Sequence, residues 1–191
     1  MTVTTQRSVH RLASGAGLLR RFTGDRRGVS AVEFALVAPV MIALYFGVVE
    51  VSDGVSASRK VSLAAATVAN LSAQVSTISS SDMSNILDAS SKVIAPYDAS
   101  KLKITVTCIA IDSSKRATVK WSVSRNGSAN TGSMTLPSAL AVASTQLLLA
   151  EVSYAYTPIV GYKITGTVNL SDKMYMSPRI TAPTYGTTAC T

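Results

Sequence analysis

The first strong pattern in the chain is an almost unbroken series of apolar residues. Sixteen uncharged residues separate Glu33 from Glu50, and at helical rise they cover roughly 24 Å. Since a membrane span prefers about 20 residues, the added turn from Val29 to Val32 makes the length adequate if Glu33 is neutralised. The pattern predicts a transmembrane helix over residues 29–51, with Pro39 inside it, which helices in lipid tolerate.

The next segment, residues 52–78, has apolar residues at spacings of three and four, as in an amphipathic helix. We expect the first helix to continue through this segment toward Gln74 or beyond, with Gly54 and the neighbouring serines as its weak point. Periodicity alone does not separate one long helix from a membrane anchor followed by a separate juxtamembrane helix. The apolar positions are Val61, Ala64, Val68, Leu71, Val75 and Ile78.

Residues 79–191 have the pattern of a small α+β head. Ser79 and Asp82 form a capping box that starts a short helix, which Pro96 ends. From Lys101 the apolar period changes to two, which predicts an antiparallel sheet of about four strands. The strands are expected at Leu102–Cys108, Ala117–Val123, Leu148–Tyr156 and Tyr162–Leu170, a further short helix at Ser138–Leu147, and irregular chain from Pro178.

Charge is concentrated before the apolar helix. Residues 1–28 contain six Arg and one Asp, a net charge of +5, and the other residues contribute +3 of the total of +8. An excess of Lys and Arg beside a membrane span marks the cytoplasmic side. We therefore interpret residues 1–28 as a basic cytoplasmic leader rather than a nucleic-acid site, and we place residues 79–191 outside the cytoplasm.

Candidate catalytic and metal-binding groups are sparse. The single histidine, His10, lies in the leader, and no Gly-x-Ser-x-Gly or dinucleotide-binding motif occurs. The aspartates are scattered, without the spacing of a calcium loop. The sequence therefore predicts a protein that is not an enzyme and that has no cofactor and no metal site.

Residues 28–50, GVSAVEFALVAPVMIALYFGVVE, resemble the amino-terminal motif of the TadE-like family, pseudopilins of the tight-adherence (Tad, or Flp) pilus system. The carboxy-terminal half, with Tyr154, Tyr156 and Pro158 in a Tyr-x-Tyr-x-Pro strand and with a terminal Pro178-Arg179 pair, is similar to the same family. The resemblance implies a pilin-like fold and a single-pass protein of the bacterial inner membrane. It also implies a role as a minor pilin in adhesive pilus assembly.

The same resemblance assigns the site residues. A membrane-embedded prepilin peptidase would cut between Gly28 and Val29, and Glu33, followed by Phe34, would then lie one turn into the new amino terminus. In a filament, the Glu33 carboxylate would pair with the α-amine of a neighbouring subunit. The implied partners are this peptidase, other major and minor pilins, and the pilus assembly machinery.

The two cysteines, Cys108 and Cys190, leave two alternatives open. They form one disulfide that closes a long loop, or Cys108 packs as a small apolar residue and Cys190 is an exposed thiol. Oxidation is permitted if the head lies outside the cytoplasm.

A second hypothesis is an anchored or secreted binding module with an ordinary signal sequence. Val55-Ser56-Ala57 fits the small-residue pattern of a signal-peptidase site, and Arg20-Arg21-Phe22 has a faint likeness to a twin-arginine signal. This hypothesis leaves Glu33 unexplained, because a carboxylate within an apolar span needs a compensating role.

Overall fold

The computed structural model describes residues 27–161 and 166–191. Its first element, helix α1, comprises Arg27–Ala73 and contains Pro39. The chain forms two compact units that meet in sequence between Gly47 and Val48, so that α1 contributes to both. The predicted leader, up to residue 26, lies outside the described residues.

Helix α1 is continuous through the predicted weak point. Gly54 lies inside the helix, where an added Cβ would be 3.6 Å from Cε1 of Tyr156, so a small residue allows the ring to pack closely. The helix ends at Ala73 rather than near residue 78, because Thr77 and Ile78 form strand β1 instead. Val75, which was expected on the buried face, is exposed.

The remaining elements form an α+β head, which confirms the predicted fold class. Its elements are α2 (Ser80–Lys92), a 3-10 turn (Ala99–Lys101), β2 (Leu102–Ile111), β3 (Ala117–Arg125), β4 (Ser133–Met134), β5 (Thr145–Tyr156), β6 (Val168–Met176) and β7 (Thr184–Tyr185). Helix α2 begins with the predicted capping box, in which the Ser79 hydroxyl accepts from the Asp82 amide and the Asp82 carboxylate accepts from the Ser79 amide. The main sheet is antiparallel with strand order β4-β3-β2-β5-β6, and β1 pairs in parallel with β7.

The main core lies between one face of this sheet and the part of α1 that belongs to the head. Small helix residues such as Ala57, Ala64 and Ala65 are fully buried, so the helix backbone approaches the sheet closely. The sheet supplies larger side chains to the same cluster, among them Ile104 and Leu148. Burial of these apolar side chains holds the head together.

The opposite sheet face has its own smaller cluster, including Ile109, Leu149 and Ala117. Strand β2 is buried on both faces from Ile104 to Ile109, although alternation predicted a half-buried strand. In the sequence, this second buried face is indicated by the change from Thr105 and Thr107 to Ile109 and Ile111 along it.

Three sequence predictions for the head were wrong. The chain from Pro178 was expected to be irregular, but it contains the short strand β7. The helix expected at Ser138–Leu147 is absent from the described residues: this stretch forms turns, with Ser144 at a φ of 57°, and Thr145 then begins β5. The fourth strand was expected at Tyr162–Leu170 but β6 begins at Val168, because its register pairs Val168 with Tyr156 and Met176 with Leu148. Residues 162–165 of the expected strand lie outside the described residues.

Candidate assembly and processing site

The proposed cleavage site, Gly28-Val29, lies in the first turn of α1, and both residues are exposed. A Cβ added to Gly28 would meet nothing within 4 Å, so the packing described here does not require glycine. Glycine inside a helix costs about 1 kcal/mol relative to alanine. The structure therefore gives Gly28 no packing role among the described residues.

Glu33 is exposed and makes no hydrogen bond or ion pair with any residue within 27–161 or 166–191. Phe34 beside it is 73% exposed. The surrounding side chains, from Val32 to Phe46, are apolar on every side of the helix, and all of them except the half-buried Ala38 are exposed. A helix that is apolar all round is stable only when lipid or protein surrounds it.

This helix is long and apolar enough to cross a membrane, by length and composition, and it lies near the amino terminus. A single-pass anchor is therefore compatible with the structure. On insertion scales a charged side chain costs about 2.5–3.5 kcal/mol at the centre of a membrane span, and Glu33 lies nearer the start of this one. The arrangement leaves Glu33 available for a partner from another molecule.

Two further carboxylates lie one turn apart in α1, directly after the apolar run. Glu50 accepts hydrogen bonds from the backbone N–H groups of Val160 and Gly161, with N–O distances of 2.8–3.0 Å. Asp53 accepts from the hydroxyl of Tyr97 at 2.7 Å and from the hydroxyl of Tyr156 at 2.8 Å. We call these four contacts the junction; all of them lie within the head unit and join its part of α1 to Tyr97 and to residues 156–161.

The two tyrosines of the junction, Tyr97 and Tyr156, have raised pKa values. Burial first, and then the hydrogen bond and negative charge of Asp53, raise the pKa of Tyr97 to about 12. The same causes raise the pKa of Tyr156. Both hydroxyls therefore remain protonated donors at physiological pH, which is what a structural clamp on a carboxylate requires.

The carboxy-terminal segment caps the end of α1 at Ala73. The Arg179 backbone N–H donates to the carbonyl of Ala73, and its guanidinium donates to Oδ1 of Asn70 at 2.8 Å. The first bond satisfies a backbone carbonyl that the helix end leaves without a partner, and the second holds a cation near the negative end of the helix dipole. This contact and the β1–β7 pairing explain why α1 ends at Ala73.

Cys108 and Cys190 are joined by a disulfide in the structure, with Cα atoms 5.9 Å apart, and both are fully buried. The bond ties the last residues of the chain to the central strand β2. Trp121 adds to this attachment by donating from its indole to the carbonyl of Pro183 at 3.1 Å.

The uncovered part of the sheet has a polar concavity of about 270 Å³. Of its two carboxylates, Glu151 and Asp172, Glu151 is bound by Lys173 at 2.7 Å and by Asn130 at 2.5 Å. Burial favours a higher pKa for Glu151, but these hydrogen bonds and the Lys173 charge outweigh it and lower the pKa. The group is an ionised, fully paired carboxylate, which suits neither a general acid nor a free base.

Metal chemistry has no candidate in the part of the chain that the structure describes. No group of three or more His, Cys, Asp or Glu side chains there could hold a metal ion.

The architecture thus defines a class: an α+β protein in which a long helix is apolar and exposed at its start and is buried against a sheet farther on. Comparison with family models gives the narrower result, because residues 28–70 match the TadE-like protein family. The match confirms the resemblance seen in residues 28–50; it covers 43 of the 191 residues and does not reach the carboxy-terminal motif. No curated protein and no solved structure matches the chain.

The junction is the feature that sequence reasoning missed. In the sequence, Glu50 served only to mark the end of the uncharged stretch, although Glu50 and Asp53 are one turn apart and face the same side of a helix. Tyr156 and Arg179, noted as parts of family-like motifs, both contact α1. The motifs themselves did not show that Tyr156 and Arg179 contact the same helix.

Proposed function

We propose that this protein is a minor pilin or pseudopilin that assists assembly of a Tad-type adhesive pilus. In this proposal a prepilin peptidase cleaves it between Gly28 and Val29, and it associates with other pilins and the assembly machinery at the inner membrane. The leader is cytoplasmic and the head extracytoplasmic. The observation that supports this most strongly is Glu33, a carboxylate without a partner in the described residues, on a helix that is exposed and apolar all round.

The chemical role proposed for Glu33 follows from its position. After cleavage, Val29 becomes the amino terminus, and Glu33 lies about 6 Å along the axis at helical rise. A neighbouring subunit displaced along the filament by a similar distance brings its α-amine beside this carboxylate. A charge-assisted pair in an apolar core is strong and depends on axial register.

The alternative of a secreted module is weakened by the position of its cleavage site. Ala57 is fully buried in the head, inside the unbroken helix α1. A cut after Ala57 would remove Glu50 and Asp53 and the junction contacts that they make. Such a product would lose part of its own core.

The function is tested by substituting Glu33 in cells that make the pilus. Glu33→Ala should insert at least as well as the unchanged protein, because a charge is removed from the span. It should still be cleaved, yet fail to enter pili and reduce surface attachment. Glu33→Gln is the matched control: it keeps the size and hydrogen-bonding capacity but loses the charge, so it should fail in the same way.

Normal piliation and adhesion by both variants would contradict the proposed role of Glu33. If Glu33→Gln enters pili and adheres normally while Glu33→Ala does not, a hydrogen bond rather than an ion pair is needed at this position.

A further inference from the structure

The segment of residues 158–161, which follows β5, presents apolar side chains to the outside. Ile159 is 90% exposed and Val160 is 56% exposed, whereas Pro158 beside them is buried. Exposed apolar residues that are held next to each other in this way often mark a contact with a membrane or a partner.

Glu50 ties this segment to a defined point on α1. Its carboxylate binds the backbone N–H groups of Val160 and Gly161. The fit is close, since a Cβ on Gly161 would lie 2.7 Å from Oε2 of Glu50. Glu50 is also the first charged residue after the uncharged stretch of residues 34–49, so it marks the place where the helix leaves the hydrocarbon of a bilayer.

The hydrogen bonds themselves fit a lipid environment. Irregular backbone is costly near hydrocarbon because its polar groups lack water as a partner. Here Glu50 satisfies two amides of the exposed segment, and those amides in turn solvate its carboxylate. No residue from 157 to 161 is charged, so insertion of this segment into the bilayer would bury no charged side chain of the segment.

We infer that Ile159 and Val160 insert into the outer interface of the lipid bilayer and give the head a second membrane contact beside its helix. This inference rests on the proposed membrane-anchored state. Lipid is favoured over a second copy of the chain because the segment is joined through Glu50 to the end of the membrane span itself. The contact holds the head at the membrane surface before the subunit enters a filament.

The test uses the full chain in vesicles of phosphatidylethanolamine and phosphatidylglycerol, with or without brominated acyl chains that quench tryptophan emission. Three variants are compared after the signal of the buried native Trp121 is subtracted: Ile159→Trp, Tyr45→Trp within the predicted span, and Val142→Trp. Val142 is a matched control, since it is 55% exposed and apolar but precedes β5, whereas Ile159 follows it. Strand β5 has 12 residues, so it separates Val142 from Ile159 by roughly 40 Å.

We expect brominated lipid to reduce the emission of Ile159→Trp by a fraction near that of Tyr45→Trp, with little loss for Val142→Trp. Adding Glu50→Ala to Ile159→Trp should remove most of that loss, because the segment is no longer held at the membrane boundary. Quenching of Tyr45→Trp without quenching of Ile159→Trp would overturn the inference and leave the anchor intact. Absence of quenching in Tyr45→Trp would overturn the membrane-anchored state and the inference together.

A third outcome separates lipid from a second copy. If Ile159→Trp is unquenched in vesicles but becomes shielded from a water-soluble quencher only in assembled pili, the segment contacts another subunit, and the lipid assignment is wrong.

Discussion

Removal of the disulfide should destabilise the head more than any other single change considered for it. The bond joins Cys108 to Cys190 across a sequence separation of 82 residues. In the chain-entropy model, a loop of that size contributes about 4.5 kcal/mol by restricting the unfolded chain. Since domains are stable by roughly 5–15 kcal/mol in total, this is a large share of the head's stability.

The perturbation is Cys190→Ala, measured with the full chain in detergent. Urea unfolding can be followed by Trp121 fluorescence, because the indole donates to Pro183 in the attached carboxy-terminal segment. With an m-value near 2 kcal/mol per molar urea, the loss moves the midpoint down by about 2 M. Alanine is preferred to serine, since both cysteines are fully buried and a hydroxyl there would lack a partner.

Two controls isolate the covalent link. Cys108→Ala added to Cys190→Ala should cost little more, because the bond is already lost. Reduced wild type should unfold close to the reduced Cys190→Ala variant. If the midpoints of the oxidised and reduced wild type coincide, the bond does not stabilise the head and the reasoning fails.

The remaining predictions concern the two ends of the part of α1 that lies in the head. Asp53→Asn should lower the pKa of Tyr97 from about 12 toward 10, while burial retains part of the shift; a tyrosinate absorbance titration measures this, and an unchanged pKa would contradict the contribution of Asp53. Because the folded pKa of Tyr97 is the higher one, its contribution to stability is complete below pH 10 and is lost as pH rises to 12, so the wild type should lose stability over that interval more steeply than Asp53→Asn. Arg179→Ala should lower the free energy of unfolding by about 1 kcal/mol through loss of its bond to Asn70 and of a charge at the helix end. Arg179→Lys should recover part of this in urea unfolding, and equal stability of all three proteins would rule out a side-chain cap.

Local patterns in the sequence were sufficient for much of the fold. The capping box at Ser79 and Asp82 uses contacts three residues apart, and the alternation from Leu102 reports directly on one face of a strand. Both are short-range signals, and the structure has both elements. The same holds for the apolar helix that contains Glu33, whose composition alone sets it apart.

The errors arose where distant residues decide the outcome. The end of α1 depends on Arg179, which lies more than a hundred residues beyond Ala73 in the chain. The start of β6 depends on its register with β5, which apolar spacing near Tyr162 did not reveal. The junction likewise requires Asp53 and Tyr156, 103 residues apart, to meet.

The amino-terminal residue of the protein extracted from membranes and pili is the most direct test of the central claim. Processing as a pilin predicts a mature chain that begins at Val29, and replacement of Gly28 by a bulky residue should leave the precursor uncut in the membrane. A mature terminus at Ser58 would contradict the claim, because it would show ordinary signal-peptidase cleavage after Ala57 and loss of Glu33 from the mature protein.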